Sequence, residues 1–340
     1  MIESVRGTAV PAPSRPVITA PMAAAAGLAA GGAGSLGAGA GQVRAVHVAL
    51  PHEPAEPVLL FLHGFPEAAF VWDALLVHFA QPENGGYRCI APNLRGYEHS
   101  SAPADVKDYR ARHLLQDLLA LTDIVSPGAP LAALVAHDWG GALAWAFANQ
   151  HPGRMARLVI VNAPHPATLL RELRHNPAQQ AASAYMNFLV RPDAARLLTE
   201  NGHARLFGFF EGMGASATPG SPGAPLGAGW LTESVRAQYR AVWDLGVQGG
   251  LNYYCASPLH PAHDQNAPPL ELTHEATRVD VPTLVLWAQD DTALLPCLCE
   301  GLETWVPRLK QVPLHQATHW VVHEQPQRVI AEISAFLRDQ

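Results

Sequence analysis

The most informative segment of the chain is Leu134-Val-Ala-His-Asp-Trp-Gly-Gly-Ala142. Its apolar first half is typical of a buried strand, and the small residues that follow suit a helix that begins without a spacer. Such a sharp turn requires small residues at Ala136 and Gly140, because larger side chains would collide with the neighbouring strand and helix. The pattern predicts a nucleophile elbow with Asp138 at its tip.

An aspartate at the tip of the elbow indicates attack on carbon rather than acyl transfer. Serine hydrolases have Ser at this place. A carboxylate is a poor acyl-transfer nucleophile in water, but it can displace at an electrophilic sp³ carbon and form an alkyl ester. The alternative is structural, with Asp138 only capping a helix from Gly141 to Asn149. The two motifs that follow favour the chemical interpretation.

The second motif is Leu60-Phe-Leu-His-Gly-Phe-Pro-Glu67, which directly follows another predicted buried strand. A glycine turn here can bring backbone amides to the mouth of the sheet. We expect the amides of Phe65 and Trp139 to converge on the oxyanion that forms when water attacks an ester of Asp138. A plain strand-to-helix loop is the alternative. Pro66 makes a cis bond after Phe65 plausible.

An acid and a base follow two late strands, in Leu284-Val-Leu-Trp-Ala-Gln-Asp-Asp291 and Ala317-Thr-His-Trp320. The chain order of nucleophile, acid and histidine is that of a hydrolase triad. A buried carboxylate is needed there to hold the imidazole in one tautomer and to stabilise its charged form. The order predicts His319 as the base and Asp291 as its partner.

Neighbouring residues compete for both roles. Asp290 remains a competitor for Asp291, because both follow the same strand. His315 and His323 are weaker candidates than His319, because neither occupies the position just after the turn of the last strand.

From Val43 onward, short apolar runs alternate with longer amphipathic ones, which is typical of βαβ units around a mostly parallel, doubly wound sheet. Val43–Leu50 alternates and predicts an edge strand. Further strands are predicted at Val58–Leu62, Arg88–Ala91, Leu131–Ala136, Leu158–Val161, Thr283–Trp287 and Leu309–Leu314. Helices are predicted at Tyr109–Ile124, Gly141–Asn149 and Pro326–Leu337.

The strand signal disappears between residues 165 and 275, which predicts a helical cap (lid) inserted into an α/β core of residues 43–164 and 276–340. A lid placed there would cover the carboxyl ends of the strands, where open α/β sheets bind ligands. Residues 1–42 form a low-complexity, Ala/Gly-rich segment that we expect to be poorly ordered. The stretch 212–229, rich in Gly and Pro, matches no motif.

The composition restricts the class of protein. The chain has 340 residues, of which 49% are hydrophobic and 15% charged, with a formal net charge of −7. These values suit a globular domain, and they leave no basic stripe for nucleic acid. No apolar run is long enough to insert into a bilayer. We expect a cytoplasmic protein, with export through the Ala/Gly-rich beginning as the alternative.

The cysteines do not indicate a disulfide framework or a zinc site, because they are few and irregularly spaced. They are Cys89, Cys255, Cys297 and Cys299, interpreted as reduced thiols that pack in the interior. The sequence implies no metal and no organic cofactor.

Four motifs together carry a family resemblance: His-Gly-Phe-Pro-Glu at 63–67, Leu-Arg-Gly-Tyr at 94–97, His-Asp-Trp-Gly-Gly at 137–141 and Thr-His-Trp at 318–320. From about Val43 to Leu337 the chain resembles the epoxide hydrolases of the α/β-hydrolase fold, whose close relatives are haloalkane and fluoroacetate dehalogenases. The resemblance implies that fold, with a helical lid. It also places the triad acid at Asp291.

Epoxide hydrolases have two lid tyrosines that hydrogen-bond the epoxide oxygen and protonate it as the ring opens. The resemblance implies that Tyr185 and Tyr254 are their counterparts, with Tyr253 as the substitute for Tyr254. A phenol suits the task, because an alkoxide leaving group is far more basic than phenolate. Ordinary packing in the lid is the alternative for each tyrosine.

The sequence departs from the family at two places. Glu98 stands where the family usually has Gly, and Cys255 stands where a basic residue is frequent. The first departure concerns the conformation of a loop and the second the surface of the lid. Neither touches the expected chemistry.

The resemblance implies a hydrolase acting on ether bonds, which converts a small apolar epoxide and water into a vicinal diol through an ester on Asp138. A dehalogenase using the same aspartate is one alternative, but haloalkane dehalogenases typically have Asn at Phe65 and fluoroacetate dehalogenases have Arg at Trp139. A non-catalytic small-molecule binding protein on the same fold is the other.

Overall fold

The structure is a computed structural model that describes residues 17–19, 44–48, 56–215, 227–259, 261 and 270–339. Most of the Ala/Gly-rich segment 1–42 and residues 216–226 of the Gly/Pro-rich stretch lie outside these ranges. The expectation that the segment 1–42 is poorly ordered therefore stays a prediction, because only residues 17–19 of it lie within the described ranges.

The described residues contain a sheet of eight strands. The strands are β1 (Val17–Thr19), β2 (Arg44–Val48), β3 (Val58–Leu62), β4 (Arg88–Pro92), β5 (Ala133–His137), β6 (Leu158–Val161), β7 (Thr283–Ala288) and β8 (Leu309–Leu314). Their order across the sheet is β1-β2-β4-β3-β5-β6-β7-β8. The pairs β1–β2 and β2–β4 are antiparallel, and all other neighbours are parallel.

Helices cover the sheet and fill the insertion between β6 and β7. They are α1 (Asp73–Phe79), α2 (Ala111–Val125), α3 (Asp138–Gln150), α4 (Pro166–His175), α5 (Pro177–Ala182), α6 (Tyr185–Leu189), α7 (Ala194–Phe210, kinked at residues 200–203), α8 (Glu233–Trp243), α9 (Gln248–Ala256), α10 (His274–Thr277), α11 (Val321–Glu324) and α12 (Pro326–Arg338). None of the described helices is long and apolar enough to cross a membrane.

The central strands are apolar along their whole length because both faces of the sheet are covered. Leu60 and Leu134 point into a core shared with α2 and α3. Their neighbours Phe61 and Val135 point the opposite way, into a core shared with α1 and α12. The predicted fold class, a mostly parallel and doubly wound sheet with an inserted helical segment, is confirmed.

The edge of the sheet differs from the prediction. Val43–Leu50 was expected to be an edge strand, but the observed strand Arg44–Val48 lies between β4 and β1. The expectation was wrong because Val17–Thr19, inside the Ala/Gly-rich segment, pairs with it from outside. Predicted Leu131–Ala136 is also shifted: the strand is Ala133–His137, and Leu131 forms only an isolated bridge with Met155.

The helical insertion packs on the carboxyl end of the sheet through an apolar cluster. Phe65 and Trp320 of the core meet Phe210 and Trp243 of the insertion in this cluster. The indole N–H of Trp243 also donates to the carbonyl of Pro66 across 2.8 Å. The boundaries of the cap at residues 165 and 275 stay a prediction.

The elbow between β5 and α3 depends on a close approach of α3 to the end of β3. Gly140 lies against β3, so that a Cβ there would be 2.6 Å from the carbonyl oxygens of Leu62 and His63. Its amide donates to the His63 carbonyl across 3.0 Å. The requirement for a small residue at Gly140 therefore has a steric cause. The peptide bond from Phe65 to Pro66 is cis, as the sequence made plausible.

We expect Gly140→Ala to lower the free energy of unfolding by about 1–3 kcal/mol, because the new methyl group must displace backbone atoms. Urea or thermal unfolding measures the loss. Gly153→Ala is the matched control, since a Cβ there meets nothing within 4 Å. It should change stability by less than about 0.5 kcal/mol. Equal stability of the two variants would contradict the steric explanation.

Candidate active site

The predicted site residues gather where the strands end. Asp138 follows β5 and begins α3, while Phe65 lies just beyond β3. Asp291 and His319 follow β7 and β8. The carboxyl ends of parallel strands meet at one edge of the sheet, and this is why residues far apart in sequence share one site.

Asp138 has an unusual backbone conformation that presents its carboxylate to the cavity. Its φ of 48° is in the left-handed region, which non-glycine residues rarely adopt. The amide of Phe65 donates to Oδ1 across 2.7 Å. A Cβ on Gly64 would lie 2.3 Å from the Cβ of Asp138, so only glycine leaves room here. The carboxylate thus bonds across the elbow, which disfavours a mere helix cap.

His319 lies between two carboxylates. Its Nδ1 is 2.7 Å from Oδ2 of Asp291, and its Nε2 is 3.7 Å from Oδ2 of Asp138. Burial acts to lower the pKa of His319, but the charges of Asp291 and Asp138 outweigh it and raise the pKa to about 9. The imidazole is therefore held as a cation while both carboxylates are charged.

Asp291 is buried and held by three further donors. Asn162 Nδ2 donates to Oδ2 across 2.7 Å, and the amides of Ala293 and Leu294 donate to Oδ1 across 2.8 and 2.9 Å. Burial acts to raise the pKa of Asp291, but the neighbouring His319 and these hydrogen bonds lower it below its ordinary value. The competitor Asp290 has an exposed side chain. The geometry favours Asp291 as the partner.

The competing histidines lie elsewhere. His315 is exposed. His323 stacks in parallel on Trp230 of the insertion, with ring centroids 4.0 Å apart. Its Nε2 is 2.7 Å from the Tyr239 hydroxyl and 3.3 Å from a carboxylate oxygen of Glu67. His323 therefore fastens the insertion to the core.

Tyr185 and Tyr254 line the same cavity as Asp138, with ring centroids 6.3 Å apart. Burial raises the pKa of both phenols, and the charge of Asp138 adds to the effect. Both hydroxyls therefore keep their protons. Tyr253 differs, because its hydroxyl donates to the carbonyl of Arg95 across 3.0 Å.

A buried network behind the triad was missed from the sequence. His137, just before the nucleophile, has Nδ1 2.9 Å from Oε2 of Glu67 and Nε2 3.0 Å from the carbonyl of His319. A backbone carbonyl can only accept, so Nε2 of His137 donates to the carbonyl of His319. Burial acts to raise the pKa of Glu67, but His137 and His323 hold it well below its ordinary value. The one available sequence signal was that Glu67 ends the His-Gly-Phe-Pro-Glu motif and His137 begins the His-Asp-Trp-Gly-Gly motif.

The cavity in front of Asp138 has a volume of about 240 Å³. Its walls are mainly apolar. Among the described residues that line it, Asp138 is the single one with a charged side chain. Within the described part of the chain, no group of three or more His, Cys, Asp or Glu side chains is arranged to hold a metal ion. The carboxylate of Asp138, the imidazole of His319 and the two phenols are groups that can carry out nucleophilic and acid–base chemistry.

The two departures from the family have local consequences. Glu98 adopts φ 47°, a left-handed conformation in which Gly would be unstrained, and Asn93 donates to its carboxylate. The loop therefore takes a turn that favours glycine even with glutamate in place. Cys255 is half-buried, and burial raises the pKa of its thiol.

Comparisons with known proteins place the chain among α/β hydrolases. The family described as alpha/beta hydrolase fold matches residues 57–326. Epoxide hydrolase 3 of Xenopus tropicalis is 31% identical over 298 residues, which cover 86% of this chain and 74% of that protein. An epoxide hydrolase of Caballeronia sordidicola is 29% identical over 321 residues, covering 86% and 91%. The crystal structure of a Bacillus megaterium epoxide hydrolase with an inhibitor is similar with a TM-score of 0.74 and 26% identity, covering 88% and 98%.

The charge on His319 predicts a pH dependence of stability. A pKa raised from 6.5 to about 9 stabilises the folded state fully below pH 6.5, and this stabilisation is lost as the pH rises towards 9. The shift corresponds to about 3 kcal/mol. Between pH 6 and pH 10 the free energy of unfolding of the wild type should therefore fall. Asp291→Asn should remove most of this fall, because Asp291 contributes most to the raised pKa of His319.

Denaturant unfolding at a series of pH values measures the effect. Asp290→Asn is the control, because its side chain is exposed and should leave the pH dependence as in the wild type. A parallel pH dependence in the wild type and Asp291→Asn would contradict the charge assignment.

Proposed function

We propose that this chain, which belongs to the α/β-hydrolase family and has epoxide hydrolases among its relatives, hydrolyses an epoxide to a vicinal diol. The reaction would pass through an ester on Asp138. The arrangement of side chains around Asp138 is the observation that best supports this proposal. The Asp138 carboxylate, held by the Phe65 amide, shares a cavity with two protonated phenols and lies 3.7 Å from the imidazole of His319.

In the first step, a carboxylate oxygen of Asp138 attacks one epoxide carbon, and the bond from that carbon to the ring oxygen breaks. Tyr185 and Tyr254 hydrogen-bond the ring oxygen, and one of them donates its proton. The raised pKa values keep both phenols protonated until the ring opens, and the alkoxide that then forms is far more basic than an ordinary phenolate. The product of the step is a hydroxyalkyl ester.

Ester formation changes the charge around His319. It removes the negative charge of Asp138, which is one of the three carboxylate charges that raise the pKa of His319. The pKa of His319 therefore falls, and the imidazolium can give up its proton, which restores the phenol that the first step left deprotonated. The neutral imidazole can then act as a base. The nucleophile thus prepares the base for the second step.

In the second step, His319, oriented by Asp291, takes a proton from water, and the resulting hydroxide attacks the carboxyl carbon of Asp138. The amides of Phe65 and Trp139 hold the oxyanion. Collapse of this intermediate releases the diol and leaves one oxygen atom of water in Asp138. At the end of the step His319 is protonated and Asp138 is a carboxylate, as they were at the start.

The paired phenols favour an epoxide over a haloalkane. A leaving halide needs hydrogen bonds but no proton, whereas an alkoxide must be protonated as it leaves. Phe65 and Trp139 also stand where the dehalogenases would have Asn or Arg. Release of halide from haloalkanes, with epoxides left intact, would reverse this preference.

We expect a single turnover in heavy-oxygen water to label the side chain of Asp138, because hydrolysis occurs at its carboxyl carbon. Mass spectrometry of the peptide that contains Asp138 measures the label. Asp138→Ala should be inactive towards epoxides. A labelled diol together with an unlabelled Asp138 would refute the ester route.

We expect Tyr254→Phe to lower kcat/KM for an epoxide by about 10–100-fold, because one proton donor is lost. Tyr253→Phe is the matched control on the same helix. It removes a hydrogen bond to the Arg95 carbonyl and should cost mainly stability, about 1 kcal/mol. Steady-state kinetics and thermal unfolding of both variants separate the two roles. A larger catalytic loss in Tyr253→Phe would exchange the assignment.

A further inference from the structure

The cavity follows one face of helix α3 away from the nucleophile. Trp139, Ala142 and Ala146, spaced three and four residues apart, line it together with Asp138. The eight residue steps from Asp138 to Ala146 correspond to about 12 Å along the helix axis. The cavity is therefore elongated, and the small side chains of the two alanines leave its width open.

On the other side of Asp138 the described residues close the space. The ring of Phe65 is 5% exposed and packs edge-on against Tyr254 at 5.3 Å and against Phe209 at 6.3 Å. Trp320 packs edge-on against Phe210 at 4.5 Å. Among the described residues, none from 207–215 or 317–323 lines the cavity. Asp138 thus lies at one end of it.

Beyond Asp138, the described lining residues provide no charged partner for a charged group. The described lining residues beyond the catalytic groups are apolar apart from hydroxyls. Ser183 Oγ already accepts from Gln179 across 2.8 Å, and Ser257 Oγ accepts from the amide of Leu259 across 3.1 Å. Since burial of an unpaired charge is costly, a charged substituent is disfavoured along the whole length.

We propose that the substrate is a terminal epoxide with a single long, uncharged, apolar substituent that lies along α3. This inference rests on the proposed function, because it places the oxirane ring at Asp138. An epoxide with alkyl groups on both carbons would need space on both sides of the nucleophile. Ala142 and Ala146 then determine how wide and how long the substituent can be.

Two series of substrates test the shape of the cavity. In the terminal series, lengthening methyloxirane to hexyloxirane should raise kcat/KM at least about tenfold, because the added methylene groups are buried. In the internal series, lengthening trans-dimethyloxirane to trans-dipropyloxirane should give no gain. Hexyloxirane and trans-dipropyloxirane are isomers, so they differ in shape and not in composition. Comparison within each series removes the difference in intrinsic reactivity.

A variant inside the cavity tests its direction. Ala146→Phe should lower the ratio of kcat/KM for hexyloxirane to that for methyloxirane by about tenfold, mainly through KM. Gln150→Phe introduces the same side chain at an exposed position of α3 and should keep the ratio of the wild type. Ala142→Leu serves as a second variant if Ala146→Phe does not fold.

The outcomes separate the inference from the function on which it rests. Equal gains in the two series, or an unchanged ratio in the folded cavity variants, would overturn the one-sided cavity while leaving an epoxide hydrolase. A wild type that opens no oxirane of either series would overturn the proposed function itself.

Discussion

The close packing of two backbones at the elbow is the constraint on which the site depends. Gly140 rests on the carbonyls that end β3, and Gly64 leaves room for the side chain of Asp138. Asp138 takes a left-handed conformation between them. Such a conformation costs free energy and persists only where the surroundings enforce it. The packing of the sheet therefore holds the carboxylate against the amide of Phe65 before any ligand is present.

The second level of organisation is electrostatic. The carboxylates of Glu67, Asp138 and Asp291 are each placed beside a histidine ring. The ring of His137 contacts both Glu67 and the carbonyl of His319, so Glu67 is linked to the residue that carries the base. Loss of one carboxylate charge therefore changes the proton affinity of its neighbour.

Periodicity predicted the core strands because fully covered strands are continuously apolar, and Val58–Leu62 lies where it was expected. It failed at Val17–Thr19, where a short strand in an Ala/Gly-rich context carries no pattern. The order of motifs along the chain also left open whether Asp290 or Asp291 is the triad acid. The two residues are neighbours in one turn, and burial in the folded structure distinguishes them. The contact between Glu67 and His137 spans 70 residues, and no local pattern reports it.

The fastening of the insertion affects any attempt to build chimaeras in this family. Trp230 stacks on His323, and Tyr239 hydrogen-bonds both His323 and Glu67. A helical segment grafted from a relative must therefore bring its own counterparts of Trp230 and Tyr239. Without them, the buried carboxylate of Glu67 would have fewer hydrogen-bond partners. Glu67 contacts His137, and His137 contacts the carbonyl of the base His319.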